Sequence, residues 1–204
     1  MFNSFFHVLP VISAKKAKGE IVRKGIHLLV ALVPPIAAIN RPATILLLIL
    51  GIFFYSILDL LTLKGYKIPV FYKIITAASR ERDAGKFTFG PVTLALGAAV
   101  TLAIFPPPVA SVAIYALAFG DGFASLIGRI FGMTRPAILN GKSVEGSLAC
   151  FTAVYISALT ASCGWTAAFF IALTATFIEM LPLKDWDNII IPLSTGCAAF
   201  FLMI

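Results

Sequence analysis

The sequence predicts an all-α, polytopic integral membrane protein with about seven transmembrane helices and an active site at the cytoplasmic face. Three observations support this fold class. Of the 204 residues, 60% are hydrophobic and 12% are charged, whereas soluble domains carry about 25% charged residues. Apolar runs recur along the whole chain. The basic residues between them collect on one side of the predicted membrane.

Seven apolar runs approach the roughly 20 residues that a helix needs to cross a bilayer. They are Ile21–Ile39, Ala43–Leu61, Pro91–Phe105, Val109–Ile127, Ser147–Cys163, Trp165–Leu181 and Ile189–Ile204. Turn-forming residues separate them, and several runs are short, so tilted or re-entrant segments also fit the pattern. We therefore predict one transmembrane catalytic domain over residues 21–204, with no separate soluble domain.

The first 20 residues are predicted to form an interfacial segment that lies on the membrane. The apolar stretch Phe2–Ile12 comes before Lys15, Lys16 and Lys18. In a cleaved secretory signal the positive charges come first, so this order argues against one.

The basic residues predict the orientation. If every run crosses the membrane, all of the 16 Lys and Arg residues except Arg41 fall on one side. The positive-inside rule makes that side cytoplasmic. All nine carboxylates also gather near this face. We expect the N-terminus and the active site to be cytoplasmic, in the plasma membrane of a prokaryote or in the endoplasmic reticulum or plastid membrane of a eukaryote.

Three acids, Asp59, Asp121 and Glu179, lie inside apolar runs. A carboxylate at membrane depth costs roughly 2.5–3.5 kcal/mol on insertion scales, so its presence usually has a functional cause. Asp121 is flanked by small residues at four-residue spacing, namely Gly120, Ala124, Gly128 and Gly132. That ridge is explained by close helix packing, but packing does not explain the acid.

The segment after this ridge has residues suited to phosphate. Lys142 supplies a positive charge between flexible glycines, and Ser147 can cap the next helix, whose N-terminus attracts anions. Glu145 could hold Mg²⁺ together with Asp121, although a solvated loop explains this stretch equally well. It is not a P-loop, because Pro136 stands where that motif needs its first glycine.

Further polar clusters lie near the other runs. Arg23, Lys24 and His27 share one helix face and can contact phosphate, accept a proton or simply be satisfied polar residues. Asp187 and Asn188 can cap the last helix. The stretch around Arg80 is either a solvated loop or part of an anion site. The three cysteines, Cys150, Cys163 and Cys197, are expected to be small buried hydrophobes.

Together these residues resemble the CTP-dependent polyprenol and lipid-alcohol kinases, the group of dolichol kinase, phytol kinase and yeast-type diacylglycerol kinase. The matching stretches are Gly120-Asp121-Gly122-x-Ala124-x-x-x-Gly128-Arg129-x-x-Gly132, then Lys142-Ser143-x-Glu145-Gly146-Ser147, then Glu179, Asp187-Asn188 and Pro192. Arg23-Lys24-x-x-His27 and Arg80-Glu81 resemble N-terminal motifs of the family. The resemblance covers about residues 23–193.

The resemblance implies an intramembrane helical enzyme that moves the terminal phosphate of CTP onto a lipid hydroxyl, with a divalent metal such as Mg²⁺. On this hypothesis the metal ligands are Asp121, Glu145 and Glu179. The catalytic residues are Asp121, Lys142, Glu179, Asp187 and His27, with the general base among the last three. The nucleotide-binding residues are Gly120, Gly128, Arg129, Gly132, Lys142, Ser143, Gly146, Ser147, Asn188 and Arg80. The expected partners are CTP and a membrane lipid, without nucleic acid, and a homo-oligomer is compatible with the sequence.

Three alternative functions fit the sequence less well. Phosphatidate cytidylyltransferases share a related first half, but their C-terminal signature contains a Pro-Gly-His-Gly-Gly stretch, and this chain has no histidine there. An ion-coupled transporter could use intramembrane acids as coupling sites, yet the acids gather at one face and no internal repeat is visible. A scaffold role would explain none of the buried charge.

Overall fold

The computed structural model describes residues 14–66, 68–69, 71–72, 83 and 85–204, the first eight of these by their backbone alone. Within this part of the chain no strand is present, so the predicted all-α class is confirmed. Nine α-helices are described: α1 (Ala14–Leu29), α2 (Val33–Ile39), α3 (Arg41–Leu63), α4 (Gly90–Ile104), α5 (Pro107–Tyr115), α6 (Gly122–Ile130), α7 (Val144–Thr160), α8 (Trp165–Met180) and α9 (Asp187–Met203).

Short irregular turns connect several of these helices. A 3₁₀ turn over Val30–Leu32 joins α1 to α2, and a π-helical segment over Ala116–Asp121 joins α5 to α6. As a result, the chain from α1 to α2 and the chain from α5 to α6 each run as one long rod. Further 3₁₀ turns lie at Ala137–Leu139 and Lys184–Trp186.

Among the described residues, four helical stretches are long and apolar enough to cross a membrane: Val22–Ile39, Arg41–Leu63, Pro107–Ile130 and Lys184–Met203. The other three apolar helices, α4, α7 and α8, have 15 to 17 residues. At 1.5 Å per residue they are about 22–26 Å long, shorter than a hydrocarbon core of about 30 Å. Each predicted run therefore coincides with a helical stretch, while seven complete crossings stay a prediction.

The predicted interfacial segment at residues 1–20 falls mostly outside the described residues. Where the description begins, at Ala14, the chain is already part of α1. The last residues of that segment therefore continue into the first long rod.

Arg41, the single basic residue predicted on the far face, has a structural explanation. Its guanidinium donates to the carbonyls of Leu102 and Phe105, the second contact at 2.8 Å. These carbonyls lie at the C-terminal end of α4, where backbone acceptors lack helical partners and attract positive charge. Arg41 therefore ties the start of α3 to the end of α4.

The rod of α5 and the π segment lies at the centre of the molecule. Its fully buried residues are Val109, Ala110, Val112, Ala113, Ile114, Ala116, Leu117 and Ala118. It packs against α4, α7 and α9, and its π segment also contacts α8. By contrast, α3 packs mainly on α4 and α2 and exposes large apolar side chains such as Phe53 and Phe54. Such a surface suits lipid.

Two of the three cysteine predictions are correct. Cys150 and Cys163 are buried, whereas Cys197 is exposed on α9, so its predicted burial is wrong. The error arises because an apolar run alone does not show which face of its helix turns outward.

Glycines allow α6 and α7 to cross closely. A Cβ atom added to Gly146 would lie 2.7 Å from the carbonyl oxygen of Ala124 and 3.1 Å from the Cα atom of Gly128. Such distances are not tolerated, so a side chain here would force the helices apart. The crossing places the N-terminus of α7 beside the helix that follows Asp121.

Candidate active site

A cavity of about 200 Å³ lies between α1, α3, the residues that lead into α4, the π segment and the turn before α9. Its charged wall consists of Arg23, Lys24, His27, Asp83, Asp121, Asp185 and Asp187. Its apolar wall includes Ile26, Tyr55, Phe71, Pro91 and Leu94. The cavity can therefore accommodate a molecule with a polar end and an apolar body.

Asp121 is buried and forms a compact charged cluster with two residues of α1. The Nζ atom of Lys24 lies 2.5 Å from Asp121 Oδ2, and the Nε2 atom of His27 lies 3.2 Å from the same oxygen. The side chains of Lys24 and Asp121 are 5% and 9% exposed. A buried carboxylate needs such a partner, because an unpaired charge is very costly in this environment.

The π segment contributes a second acceptor to this cluster. The carbonyl oxygen of Leu117 lies 3.1 Å from His27 Nε2. A carbonyl and a carboxylate can only accept hydrogen bonds, so Nε2 must carry a proton to satisfy either of them. Neutral His27 therefore has its lone pair on Nδ1. Single-turn π segments inside helices are rare and are frequent at functional sites.

A second charged cluster lies where α7 begins. The Nζ atom of Lys142 lies 2.9 Å from Glu179 Oε1, and the hydroxyl of Ser147 lies 3.5 Å from Glu179 Oε2. Glu179 is buried, with 8% of its side chain exposed, whereas 30% of Lys142 is exposed. The two clusters adjoin each other, because α7, which begins directly after Lys142 and carries Ser147, packs against the π segment that ends at Asp121.

Glu145, the third predicted metal ligand, bridges to the loop before α7. Its Oε1 atom accepts a hydrogen bond from the backbone N–H of Thr134 at 2.9 Å. Glu145 is half-buried, and its Oε2 atom makes no hydrogen bond of normal geometry, although the backbone of Met133 lies nearby. A carboxylate oxygen without a well-formed hydrogen bond fits the place of an absent cation.

The carboxylates do not form a complete metal centre by themselves. Within the described ranges, no group of three or more His, Cys, Asp and Glu side chains could hold a metal ion. Asp121, Glu145 and Glu179 instead have the separate partners given above. Mg²⁺ commonly uses only one or two carboxylates and takes its other ligands from water and substrate phosphates. The predicted metal site therefore stays a prediction.

The start of α9 joins the cavity to α4. The backbone N–H of Asn188 donates to Asp187 Oδ1 at 2.8 Å, but the N-cap residue of α9 is Trp186, which makes no side-chain cap bond, so the predicted capping by Asp187 and Asn188 is wrong. The Asn188 amide donates to Thr93 Oγ1 at 2.9 Å and to the Gly90 carbonyl at 3.2 Å. Both hydrogen bonds that the Asn188 amide donates therefore go to protein atoms. The neighbouring Asp187 lines the cavity.

Several predicted nucleotide-binding residues have structural contacts. Ser143 accepts the backbone N–H of Gly146 at 3.1 Å and caps α7, so the predicted cap at Ser147, which lies inside the helix, is wrong. Gly120 packs on Cys150 and Val154, and Gly132 packs on Ser143. Arg129 is exposed in the last turn of α6, and Arg80 lies outside the described residues. The small-residue ridge is therefore explained by helix packing.

Asp59, the remaining buried acid, anchors backbone. It accepts the N–H of Thr88 at 2.8 Å, and the Tyr55 hydroxyl donates to the Thr88 carbonyl at 3.2 Å. Thr88 leads into α4, so Asp59 holds one wall of the cavity. The sequence singled out Asp59 for its depth, but it contained no signal for this partner 29 residues away.

The fold and the site thus define a helical membrane protein with a buried ion pair beside an amphipathic cavity and a second, partly exposed ion pair at the start of α7. Probable phytol kinase 1 of Oryza sativa subsp. japonica is 29% identical over 156 residues, 68% of this chain and 50% of that protein. Phytol kinase 1 of Arabidopsis thaliana is 27% identical over 158 residues, covering 69% and 52%. CTP-dependent diacylglycerol kinase 1 of Eremothecium gossypii is 30% identical over 110 residues, covering 54% and 35%.

These relatives confirm the resemblance to the CTP-dependent lipid kinases, at moderate identity. The plant relatives are named as chloroplastic. The chain spans about half the length of the phytol kinases that it matches. No family model matches the chain, and no solved structure does.

Proposed function

We propose that this protein transfers the terminal phosphate of CTP to the hydroxyl of a membrane lipid alcohol of the polyprenol, phytol or diacylglycerol type. The observation that supports this best is the cavity, because it joins an apolar wall to the buried cluster of Lys24, His27 and Asp121. A lipid alcohol has the matching form, with an apolar body and one polar end. The names of the relatives support the same reaction.

The alcohol enters between α1 and α3 in this proposal. α1 packs against α6 and the π segment, whereas α3 packs against α4, and the cavity lies between the two sets. Tyr55, Phe71 and Leu94 provide an apolar path along the α3 side. The hydroxyl would then reach the depth of Asp121 while the hydrocarbon stays in lipid-like surroundings.

The phosphates of CTP are proposed to bind at the α7 side of the site. Phosphoryl transfer needs positioning and charge neutralisation more than covalent help from the protein. Lys142 and Lys24 each neutralise a carboxylate in this structure. We propose that Lys142, Arg129 and the N-terminus of α7 bind phosphate oxygens, and that Lys24 supports them from α1.

Mg²⁺ is proposed to accompany the nucleotide, held by Asp121 together with Glu145 or Glu179. The partnerless Oε2 atom of Glu145 is the structural support for a cation at this place. When bound, the ion neutralises part of the triphosphate charge. No cage of protein ligands is required, since phosphate oxygens and water complete its coordination.

In the proposed reaction the lipid alcohol is the nucleophile and CDP is the leaving group. The lipid oxygen attacks the γ-phosphorus, the bond to the β–γ bridging oxygen breaks, and CDP leaves. The hydroxyl proton passes to a protein base. Of the three candidates, His27 has the best geometry, because its Nε2–H is directed to two acceptors and its Nδ1 atom retains a lone pair. Glu179 and Asp187 already accept contacts from Lys142 and Asn188.

The orientation is part of the same proposal. All seven apolar helices cross the membrane, the three short ones by local thinning of the bilayer. The active site faces the cytoplasm, where CTP is available. The membrane is the plasma membrane of a prokaryote, or the endoplasmic reticulum or plastid membrane of a eukaryote.

The test is to incubate the purified protein and Mg²⁺ with γ-labelled CTP or ATP and a panel of polyprenol, phytol and diacylglycerol. The expected result is label in a lipid monophosphate and formation of CDP. Release of pyrophosphate with a CDP-lipid would instead show cytidylyl transfer. Absence of labelled lipid with every alcohol and both nucleotides would overturn the proposal. Asp121→Asn protein, purified in parallel, controls for a contaminating kinase.

A further inference from the structure

Lys142 is positioned by a loop, residues 131–143, that connects α6 to α7. Two consecutive residues before it have positive φ angles, 48° at Asn140 and 88° at Gly141. The backbone N–H of Lys142 donates to the Leu139 carbonyl at 3.0 Å. The loop therefore makes a tight turn just before the lysine, with Asn and Gly at the two positions that favour these residues.

Arg135 supports this turn from within the loop. Its Nη1 atom donates to the Gly141 carbonyl and its Nη2 atom donates to the Gly128 carbonyl, both at 2.5 Å. Gly128 belongs to the last turn of α6, where carbonyls lack helical partners and favour positive charge. One guanidinium thus joins the end of the helix that follows Asp121 to the residue directly before Lys142.

Neighbouring contacts fasten the other side of the loop. Thr134 donates its N–H to Glu145 Oε1 at 2.9 Å and accepts the N–H of Val144 at 3.0 Å. The start of α7 is therefore fixed by its own bonds. The turn at Gly141 depends on Arg135 for its connection to α6.

We propose that Arg135 is a positioning residue that holds the backbone at Gly141 so that Lys142 meets the phosphates of the nucleotide. This inference rests on the proposed kinase function. Loss of Arg135 should therefore raise KM for CTP. KM for the lipid alcohol, which enters between α1 and α3, should stay nearly the same.

The contact requires an arginine. A guanidinium is planar and presents several donors in a fixed fork, so it can serve two carbonyls at once. A lysine provides one compact charge and can hold only one of the two carbonyls in the same geometry. Arg135→Lys should therefore be defective although it keeps the charge, and guanidinium added in solution should partly restore Arg135→Ala.

The experiment measures steady-state kinetics for both substrates in wild type, Arg135→Lys, Arg135→Ala and the control Lys64→Ala. Lys64 is an exposed basic residue at the end of α3, away from the cavity lining. For both Arg135 variants we expect KM for CTP to rise about 10- to 100-fold, as for a misplaced binding group. KM for the alcohol should change less than about threefold, and guanidinium should lower the CTP KM of Arg135→Ala. Lys64→Ala should behave as wild type.

Hydrogen exchange of the loop amides provides a readout that does not depend on activity. Faster exchange at residues 139–142 in Arg135→Ala, with α7 unchanged, is expected if Arg135 supports the turn. An unchanged CTP KM would overturn the inference, and so would equal losses for both substrates without rescue by guanidinium. A wild-type protein that transfers no phosphate at all would instead refute the proposed function, and the exchange result would still decide whether the contact exists.

Discussion

The two lysine–carboxylate pairs of the site differ in burial and in support. Lys24 and Asp121 are both almost completely buried, and Lys24 projects from a continuous helix. Lys142 pairs with an equally buried acid, Glu179, but it stands at the end of a loop and is 30% exposed. The first pair is held on both sides by helices, whereas the second has one partner that can move.

This difference suggests that the two ion pairs have different roles. A buried pair that loses one member leaves an unpaired charge, which costs about 3–5 kcal/mol, while exposed pairs contribute about 0–1 kcal/mol. We therefore assign Lys24–Asp121 a role in both stability and catalysis. We assign Lys142–Glu179 a role in catalysis, with Lys142 able to leave its carboxylate for a phosphate.

The largest effect is expected from Asp121→Asn. It should abolish phosphate transfer, because the buried cluster loses its only negative charge, while the protein still inserts and can be purified. Kinase assays on purified protein, together with thermal unfolding, check both statements. Activity like that of the wild type would remove Asp121 from the mechanism and would leave its pair with Lys24 purely structural.

A double substitution separates stability from catalysis in the buried pair. Lys24→Met alone should lower the free energy of unfolding by about 3–5 kcal/mol, because it leaves Asp121 without its cation. Adding Asp121→Leu should recover most of this loss, since buried pairs can often be replaced by apolar residues. The double variant should remain inactive. If the double variant does not recover stability, the two charges stabilise the fold by more than neutralising each other.

Lys142→Met tests the second, less deeply buried pair. Stability should fall by about 1–3 kcal/mol, because the substitution leaves the buried Glu179 carboxylate without its cation, but by less than for Lys24→Met, because solvent reaches the Lys142 side of this pair. Transfer should fall about 100-fold through the loss of a phosphate contact. Kinetics and unfolding measured on the same preparation provide the comparison. A stability loss as large as that of Lys24→Met would show that the two pairs have the same structural role.

Glu145→Gln distinguishes a metal ligand from a loop contact. Glutamine keeps the Oε1 acceptor for Thr134 but removes the negative charge at the partnerless position. The apparent Mg²⁺ affinity in the assay should fall about 10- to 100-fold, as is typical for residues that support metal sites. A titration of activity against Mg²⁺ measures this. An unaltered Mg²⁺ dependence would show that Glu145 only contacts the loop and does not bind the metal.

Hydropathy was sufficient to place each helical stretch, because apolar residues must leave water wherever the chain folds. The side-chain pairs could not be predicted, since Lys24 meets Asp121 across 97 positions and Asn188 meets Thr93 across 95. In the sequence, Lys24 stands out only by its spacing from His27. The π segment left no pattern in the sequence, and the glycine ridge predicted close packing correctly while suggesting nucleotide contacts as well.

The smallest effect is expected from Asp59→Asn, which tests whether burial of an acid is enough to indicate catalysis. Asparagine can still accept the Thr88 N–H through Oδ1, so only the charge-assisted part of this bond is lost. We expect a loss of about 1 kcal/mol in unfolding free energy and activity within about threefold of wild type. A severe loss of transfer at normal stability would place Asp59 in the chemistry with Asp121. A mild result would show that the partner, a backbone N–H instead of a lysine and a histidine, determines what a buried carboxylate does in this protein.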